Sequence, residues 1–327
     1  MATDLDLAQA IYLALIQGFT EFLPISSSGH LVLVPALLKH EVQSISFDIA
    51  VHFGSLIAVI WFFRHQLVAM TADWFRSVAH RKTVGESPLA WAVLWGTVPA
   101  GIFGMVLHFV YDEKFNSAIA WIAIVSVITG LCLLYFIIRR NTTVVKYLLF
   151  ASVVMAALIA VAFLYYKQLR GPTVIAITTL LFGVLLYVAD RLGKRQRDLQ
   201  GITWKDVLVI GMAQAIAIIP GTSRSGITIT LALLIGFKRA AAARFSFLLS
   251  IPTILLAAGA LVYKFSKSSE QVDWMIIGVG AAVSAISAYL CIYLFLKLID
   301  RIGMLPFVLY RIVLAGVLFY LVYTGFF

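Results

Sequence analysis

Apolar residues run through this chain in long blocks, without the one-sided periodicity of a helix that faces water on its other side. About ten blocks can be drawn, at about 8–38, 46–63, 88–111, 117–138, 147–166, 173–189, 206–236, 245–263, 273–297 and 305–326, and most hold the roughly 20 residues a membrane-spanning helix needs. The first and seventh are longer, and both are broken. Pro24-Ile25-Ser26-Ser27-Ser28-Gly29-His30 interrupts one, and Pro220-Gly221-Thr222-Ser223-Arg224-Ser225-Gly226 interrupts the other. Irregular backbone is tolerated at membrane depth only where it is buried in protein or lines a polar cavity. The breaks therefore predict two re-entrant helical hairpins that enter the membrane, turn and leave by the same side.

Composition confirms the class. The 327 residues are 62% hydrophobic and 12% charged, with a mean hydropathy of +1.00, against the roughly 45–50% apolar share of soluble domains. The net charge of +10 does not point to nucleic acid, because the 25 Lys and Arg fall in short clusters between apolar blocks, as in membrane loops. Cys132 and Cys291 both lie inside apolar blocks, which predicts packing rather than a disulfide or a thiolate metal site. Residues 1–7 carry Asp4 and Asp6 and no basic residue, unlike the start of a secretory signal, so no cleavage is expected.

Loop charge tests the hairpins. With both broken blocks re-entrant, 17 loop Lys and Arg share one side; the other side holds only Lys39, Lys114, Lys167, Arg170, Lys264 and Lys267, a split of 17 to 6. With both crossing fully, the best split falls to 14 against 9. The positive-inside rule thus favours an all-α integral membrane protein with about eight spanning helices, two re-entrant hairpins and both termini outside. A shift of 197 residues superimposes Gln17 on Gln214, Ser26 on Ser223, Ser28 on Ser225 and Gly29 on Gly226, the signature expected of an inverted-topology repeat. The chain then reads as a single membrane domain over 1–327, with a first repeat core at 1–116, spanning helices at 117–189 and a second, inverted repeat at 206–327.

The hairpins also hold the chemistry. Gln17 and Glu21 are four apart and Ser27 and His30 three apart, so each pair shares a helix face. Ser26 to Ser28 can serve simply as helix caps and His30 as an interfacial residue. A carboxylate in an apolar block, however, costs at least ~2.5 kcal/mol to insert and marks a functional site by default. Arg224, opposite Ser27 under the same shift, is its natural partner; a bare Glu21–Arg224 ion pair joining the hairpins is the plainer alternative. A nucleophile, an imidazole, a carboxylate and a fixed cation near helix starts suit a phosphate. Asp48 and His52, four apart, and the intramembrane Arg311 are lesser candidates; Arg311 is expected to pair with an acid or to reach a headgroup by snorkelling, and His108 reads as interfacial rather than catalytic. Gly96-Thr97-Val98-Pro99-Ala100-Gly101 reads as a kinked, closely packed helix with no chemistry.

Gln17-Gly18-Phe19-Thr20-Glu21-Phe22-Leu23-Pro24-Ile25-Ser26-Ser27-Ser28-Gly29-His30 and Pro220 to Gly226 resemble the two signatures of the bacitracin-resistance type undecaprenyl-diphosphate phosphatases. The similarity continues through Phe47-Asp48, Gly96 to Gly101, Phe245 to Leu249 and Pro306 to Arg311. The resemblance implies hydrolysis of undecaprenyl diphosphate to the monophosphate lipid carrier of cell-wall synthesis. It also implies a site facing the outside of the bacterial cytoplasmic membrane, and bacitracin resistance. His30, oriented by Glu21, is expected to take a proton from Ser27 or from water, while Arg224 stabilises the transferred phosphoryl group. Ser26, Ser28, Gly29, Thr222, Ser223, Ser225 and Gln17 are expected to bind phosphate or substrate. Glu21 is also the candidate ligand for Mg²⁺ or Ca²⁺, although Gln17 stands where many members have a second Glu and weakens such a site. The substrate lipid and the bilayer are the expected partners, with a second copy of the chain a further candidate and no nucleic acid.

The stretch 117–189 holds three apolar blocks where the family usually has one, an excess of two helices that preserves the orientation of the second half of the chain. A polyprenyl-phosphate transporter or flippase is the rival reading, since inverted repeats with broken helices typify transporters. A type 2 phosphatidic acid phosphatase is excluded, because that class needs a His six residues after the Arg and this chain has Thr230 there.

Overall fold

The structure, a computed structural model, describes residues 5–38, 43–111, 171–267 and 272–326, all helix and connecting loop apart from one isolated β-bridge, Arg197 with Phe237. The blocks expected at 117–138 and 147–166, together with Cys132, lie outside the described residues. Ten α-helices are described: α1 (Leu7–Phe22), α2 (Ser27–Leu38), α3 (Ile45–His80), α4 (Ser87–Tyr111), α5 (Pro172–Leu192), α6 (Trp204–Ile216), α7 (Arg224–Leu234), α8 (Arg239–Phe265), α9 (Trp274–Ile302) and α10 (Leu305–Tyr323). Six of them, α3, α4, α5, α8, α9 and α10, are long and apolar enough to cross a membrane, which makes the chain a multi-pass integral membrane protein.

The broken blocks behave differently. Each folds as two short helices joined by a turn, α1 with α2 and α6 with α7, of 16, 12, 13 and 11 residues. All four fall below the ~20 residues of a full crossing. At Pro24 and Pro220 the missing N–H and the fixed φ prevent the helix from continuing. Immediately before the second helix of each pair, the chain turns through a non-glycine residue with positive φ, Ser26 at 74° and Ser223 at 70°. These two serines are 197 residues apart, as the sequence shift requires, and the next residues, Ser27 and Arg224, begin α2 and α7. Positive φ costs a non-glycine residue of order 1–3 kcal/mol and persists where the surroundings fix it.

Ordinary capping sets the other boundaries. Ser44 accepts from the Phe47 N–H to open α3, Asp273 accepts from Met275 and Ile276 to open α9, and Thr203 with Asp206 forms a reciprocal capping box on α6. Helix α3 runs to His80, well past the apolar block ending at 63, and stops where Arg81 turns left-handed and donates its N–H to Ser77 O. The expected loop 64–87 is therefore mostly helix, because Gln66 to Trp74 contains no Gly or Pro to break a chain already nucleated. Helix α4 is continuous through Pro99, with no break at the Gly96 to Gly101 stretch.

Lipid offers no hydrophobic drive for helices to associate, so close van der Waals packing carries the association. Helix α9 lies along α3 and α1, α10 lies along α5, and α4 pairs with α6. Gly18 lets α1 approach α9, where an added Cβ would fall 2.0 Å from Ser287 Oγ. Phe22 at the end of α1 meets Phe247 of α8, with ring centroids 5.3 Å apart, and the stack continues through Phe295 and Phe307 at 5.6 and 5.2 Å. Cys291 is buried and donates to Phe19 O at 3.2 Å, the packing role expected for it. Ion pairs join the charged ends: Arg239 to Asp190 through hydrogen bonds of 2.6 and 2.9 Å, and Arg197 to Asp206 at 2.6 and 2.9 Å.

Candidate active site

Both turns open into one cavity of about 260 Å³, lined by Glu21, Ser26, Ser27, His52, Ala217, Ser223, Arg224, Thr253, Ile254 and Ala257. Its polar floor comes from the two helix breaks. Helices α2 and α7 both begin there, at Ser27 and Arg224, so two helix N-termini, whose first turns lack intrahelical acceptors, border the site. Anions are favoured at such ends by the helix dipole as well. One wall, Thr253, Ile254 and Ala257 of α8, is largely apolar.

Glu21 is the hub of the floor. Its Oε1 accepts from Arg224 Nη2 at 2.8 Å, and its Oε2 accepts from Gln17 Nε2 at 3.0 Å and from the Ser27 hydroxyl at 2.8 Å. The ion pair is well buried, with side-chain exposures of 14% for Arg224 and 8% for Glu21. Arg224 Nη1 is buried and has no partner among the described residues, which leaves one face of the guanidinium unspent. A donor in that state is costly unless a ligand satisfies it.

The turns are braced against each other. The Ser225 hydroxyl donates to Leu23 O at 2.8 Å across the hairpins, and Ser223 Oγ caps α7 by accepting from the Gly226 N–H at 3.1 Å and lies 3.2 Å from Ser225 Oγ. Thr222 is fully buried, its hydroxyl unpartnered among the described residues. Gly29 sits in the first turn of α2, against Ser26 and Ile175. The side chain of Ser28 lies outside the described residues.

His30 takes a different place from the one its spacing predicts. Its Nδ1 bonds Ser26 O at 2.7 Å, so this nitrogen carries the proton, and its Nε2 accepts from the Tyr310 hydroxyl. Both ring nitrogens are thus engaged away from the Ser27 hydroxyl, which is held by Glu21 instead. Among the lesser candidates, His52 lines the cavity, its Nδ1 bonded to Asp48 O at 2.8 Å. Asp48 accepts from Gln43 at 3.1 Å, and the side chain of His108 lies outside the described residues. Thr253, Ile254 and Ala257 carry no sequence signal of their own, since each reads as part of an ordinary apolar block, and Tyr310 lies in the Pro306 to Arg311 stretch without being singled out there.

The donor set does not fit a divalent cation held by the protein. Both oxygens of Glu21 already face N–H or O–H donors, one of them cationic, and Gln17 adds no second carboxylate. Among the described residues no group of three or more His, Cys, Asp or Glu is placed to hold a metal.

The family model described as "Bacitracin resistance protein BacA" matches residues 10–147 and 136–317. Curated relatives match nearly end to end. "Undecaprenyl-diphosphatase 2" of Stutzerimonas stutzeri (strain A1501) is 45% identical over 317 residues, covering 96% of this chain and 97% of its own. "Undecaprenyl-diphosphatase" of Thioalkalivibrio sulfidiphilus (strain HL-EbGR7) is 47% identical over 318 residues, covering 97% and 99%, and that of Nitrosococcus oceani is 44% identical over 317 residues. With both broken-helix motifs meeting in one polar cavity and matches of this extent, the chain belongs to the bacitracin resistance protein BacA family.

Proposed function

We propose that this protein hydrolyses undecaprenyl diphosphate to undecaprenyl phosphate and inorganic phosphate, recycling the lipid carrier of cell-wall synthesis. The observation that carries the reading is the buried chain Ser27–Glu21–Arg224 on the floor of a cavity that two helix N-termini share with an apolar wall. The names of the relatives give the substrate. The terminal phosphoryl group sits between the first turns of α2 and α7, with Arg224 Nη1 and the Ser26 and Ser223 region donating to its oxygens. The Ser27 oxygen attacks the terminal phosphorus while its proton passes to Glu21 Oε2. The bond from that phosphorus to the bridging oxygen breaks, and its electron pair leaves on undecaprenyl phosphate. Water then attacks phosphoserine 27, releasing inorganic phosphate and restoring the hydroxyl. His30, tied to Ser26 O and Tyr310, holds the turn from which Ser27 projects rather than acting as the base.

In this reading α1–α2 and α6–α7 are re-entrant hairpins of an inverted repeat, with cores at 1–116 and 206–327 and the site open to the outside of the cytoplasmic membrane. The short helices, the matching positive φ at Ser26 and Ser223, and the 17-to-6 loop charge split support it. Purified protein in detergent is expected to release phosphate from undecaprenyl diphosphate. Lipid movement across vesicles without phosphate release would favour the transporter reading instead.

A further inference from the structure

Helix α10 carries a fully buried arginine, Arg311, into the middle of the protein. Its Nε donates to Thr179 O at 3.0 Å and its Nη1 to Pro24 O at 3.2 Å and Thr222 O at 3.0 Å. Its Nη2 donates to Gly221 O at 2.9 Å and Thr178 O at 3.4 Å. Every partner is a backbone carbonyl, and none of these bonds goes to a carboxylate. Pro24 belongs to the first turn, Gly221 and Thr222 to the second, and Thr178 and Thr179 to α5, so one planar group joins all three.

Electrostatics explains why a cation stands there. Helices α1 and α6 end at the two turns, and the carbonyls beyond helix ends need donors and carry partial negative charge. The same breaks start α2 and α7, whose first residues, Ser27 and Arg224, line the cavity. The turns are therefore two-sided: the carbonyls of Pro24, Gly221 and Thr222 bond Arg311, while Ser26, Ser27, Ser223 and Arg224 line the cavity. Room for the guanidinium comes from Gly226 and Gly183, where an added Cβ would fall 3.0 Å from Nη1 and 3.1 Å from Arg311 Cβ.

We infer that Arg311 is a positioning residue for catalysis: by bonding the carbonyls of both turns it fixes their register, and with it the placement of Ser27 and Arg224 across the cavity. The inference rests on the diphosphatase reading. A lysine keeps the charge but offers a single nitrogen instead of a planar fork. Misplacement of reacting groups by about 1 Å costs on the order of 100-fold in rate. Arg311→Lys is expected to lose at least about tenfold in kcat and Arg311→Gln about 100-fold, with KM for undecaprenyl diphosphate within about threefold of wild type. Gly183→Ala, whose added Cβ would fall 3.1 Å from Arg311 Cβ, is expected to lower kcat at least about threefold with only a small change in Tm, since alanine's better helix propensity offsets part of the crowding. It keeps the test alive if the Arg311 variants fail to fold. Amide hydrogen exchange should rise in both turn segments together, 23–30 and 219–226. Unchanged kcat in folded Arg311→Lys and Gly183→Ala overturns the inference, as does a loss confined to KM, which would make Arg311 a binding charge. Failure of wild type to release phosphate would instead overturn the diphosphatase reading, whereas Arg224→Ala turning over like wild type would overturn only the placement of Arg224 at the phosphoryl group.

Discussion

Replacing Arg224 by alanine separates the chemistry of the site from its stability. At 2.8 Å from Glu21, the pair has a Coulomb term of about 6 kcal/mol at an effective dielectric constant of ~20. Most of that is offset by the cost of taking both ions out of water. In the variant Glu21 still accepts from Gln17 and Ser27, and the opened cavity admits water to the vacated oxygen. The stability loss should therefore fall below the roughly 3–5 kcal/mol of a fully enclosed broken pair, at about 2 kcal/mol. That is tolerable against a typical folding stability of roughly 5–15 kcal/mol. Catalysis has no such substitute. An arginine aimed at a transferring phosphoryl group is worth about 10³-fold or more, or about 4 kcal/mol of barrier. Arg224→Ala should purify and melt within several degrees of wild type while its single-turnover phosphate release from undecaprenyl diphosphate in detergent falls about 1,000-fold. A folded variant releasing phosphate within threefold of wild type would refute the assignment of Arg224 to the phosphoryl group.

Ser27→Ala and Glu21→Gln should each lower kcat to a similar residual rate, and the double variant should fall no further, because hydroxyl and proton acceptor act as one unit; losses that multiply would separate them. His30→Gln should lose far less, about tenfold, as befits a residue that props the turn; a loss matching that of Glu21→Gln would return the base to His30. Single cysteines at Glu41 or Lys114 should react with an impermeant maleimide in intact cells and those at Arg81 or Arg195 should not, and the opposite pattern would invert the topology. At the start of α6, burial pushes the Asp206 carboxyl up, but hydrogen bonds from Arg197 and Thr203 outweigh it and hold the group below its ordinary value. A lowered folded pKa contributes stability above the unfolded carboxylate value of ~3.9, and that stability disappears as pH falls through the folded value. The Tm gap between wild type and Asp206→Asn should accordingly be constant from neutral pH to about pH 5 and close below pH ~3.9; a gap that widens on acidification would contradict the sign.

Much of this site was legible because hydrocarbon punishes exceptions. Pro24 and Pro220 break helices that apolar composition would otherwise continue, and a carboxylate and a guanidinium placed at those breaks have few partners other than each other. The 197-residue shift even aligned the two residues with matching positive φ, Ser26 and Ser223. What spacing did not convey was direction. Ser27 and His30 share a helix face on paper, yet positive φ at Ser26 turns the start of α2 so that the Ser27 hydroxyl reaches back to Glu21. The partner of His30, Tyr310, is 280 residues away, and nothing local announces it. The cavity wall was hidden for a similar reason, since Thr253, Ile254 and Ala257 are chemically ordinary in an apolar helix and matter only through what α8 faces. Helix α3 overran its apolar block because helix propagation needs no hydrophobicity once begun, only the absence of a breaker.

The central claim, that the Ser27 oxygen receives the phosphoryl group, is tested most directly by rapid acid quench of the purified protein with undecaprenyl diphosphate labelled in its terminal phosphate. Label should appear on the peptide containing Ser27 within the first turnover, precede or accompany release of undecaprenyl phosphate, and be absent in Ser27→Ala. Full single-turnover release of inorganic phosphate with no label on that peptide at any quench time, and a Ser27→Ala protein that retains most of its rate, would contradict the account and assign the attack to water.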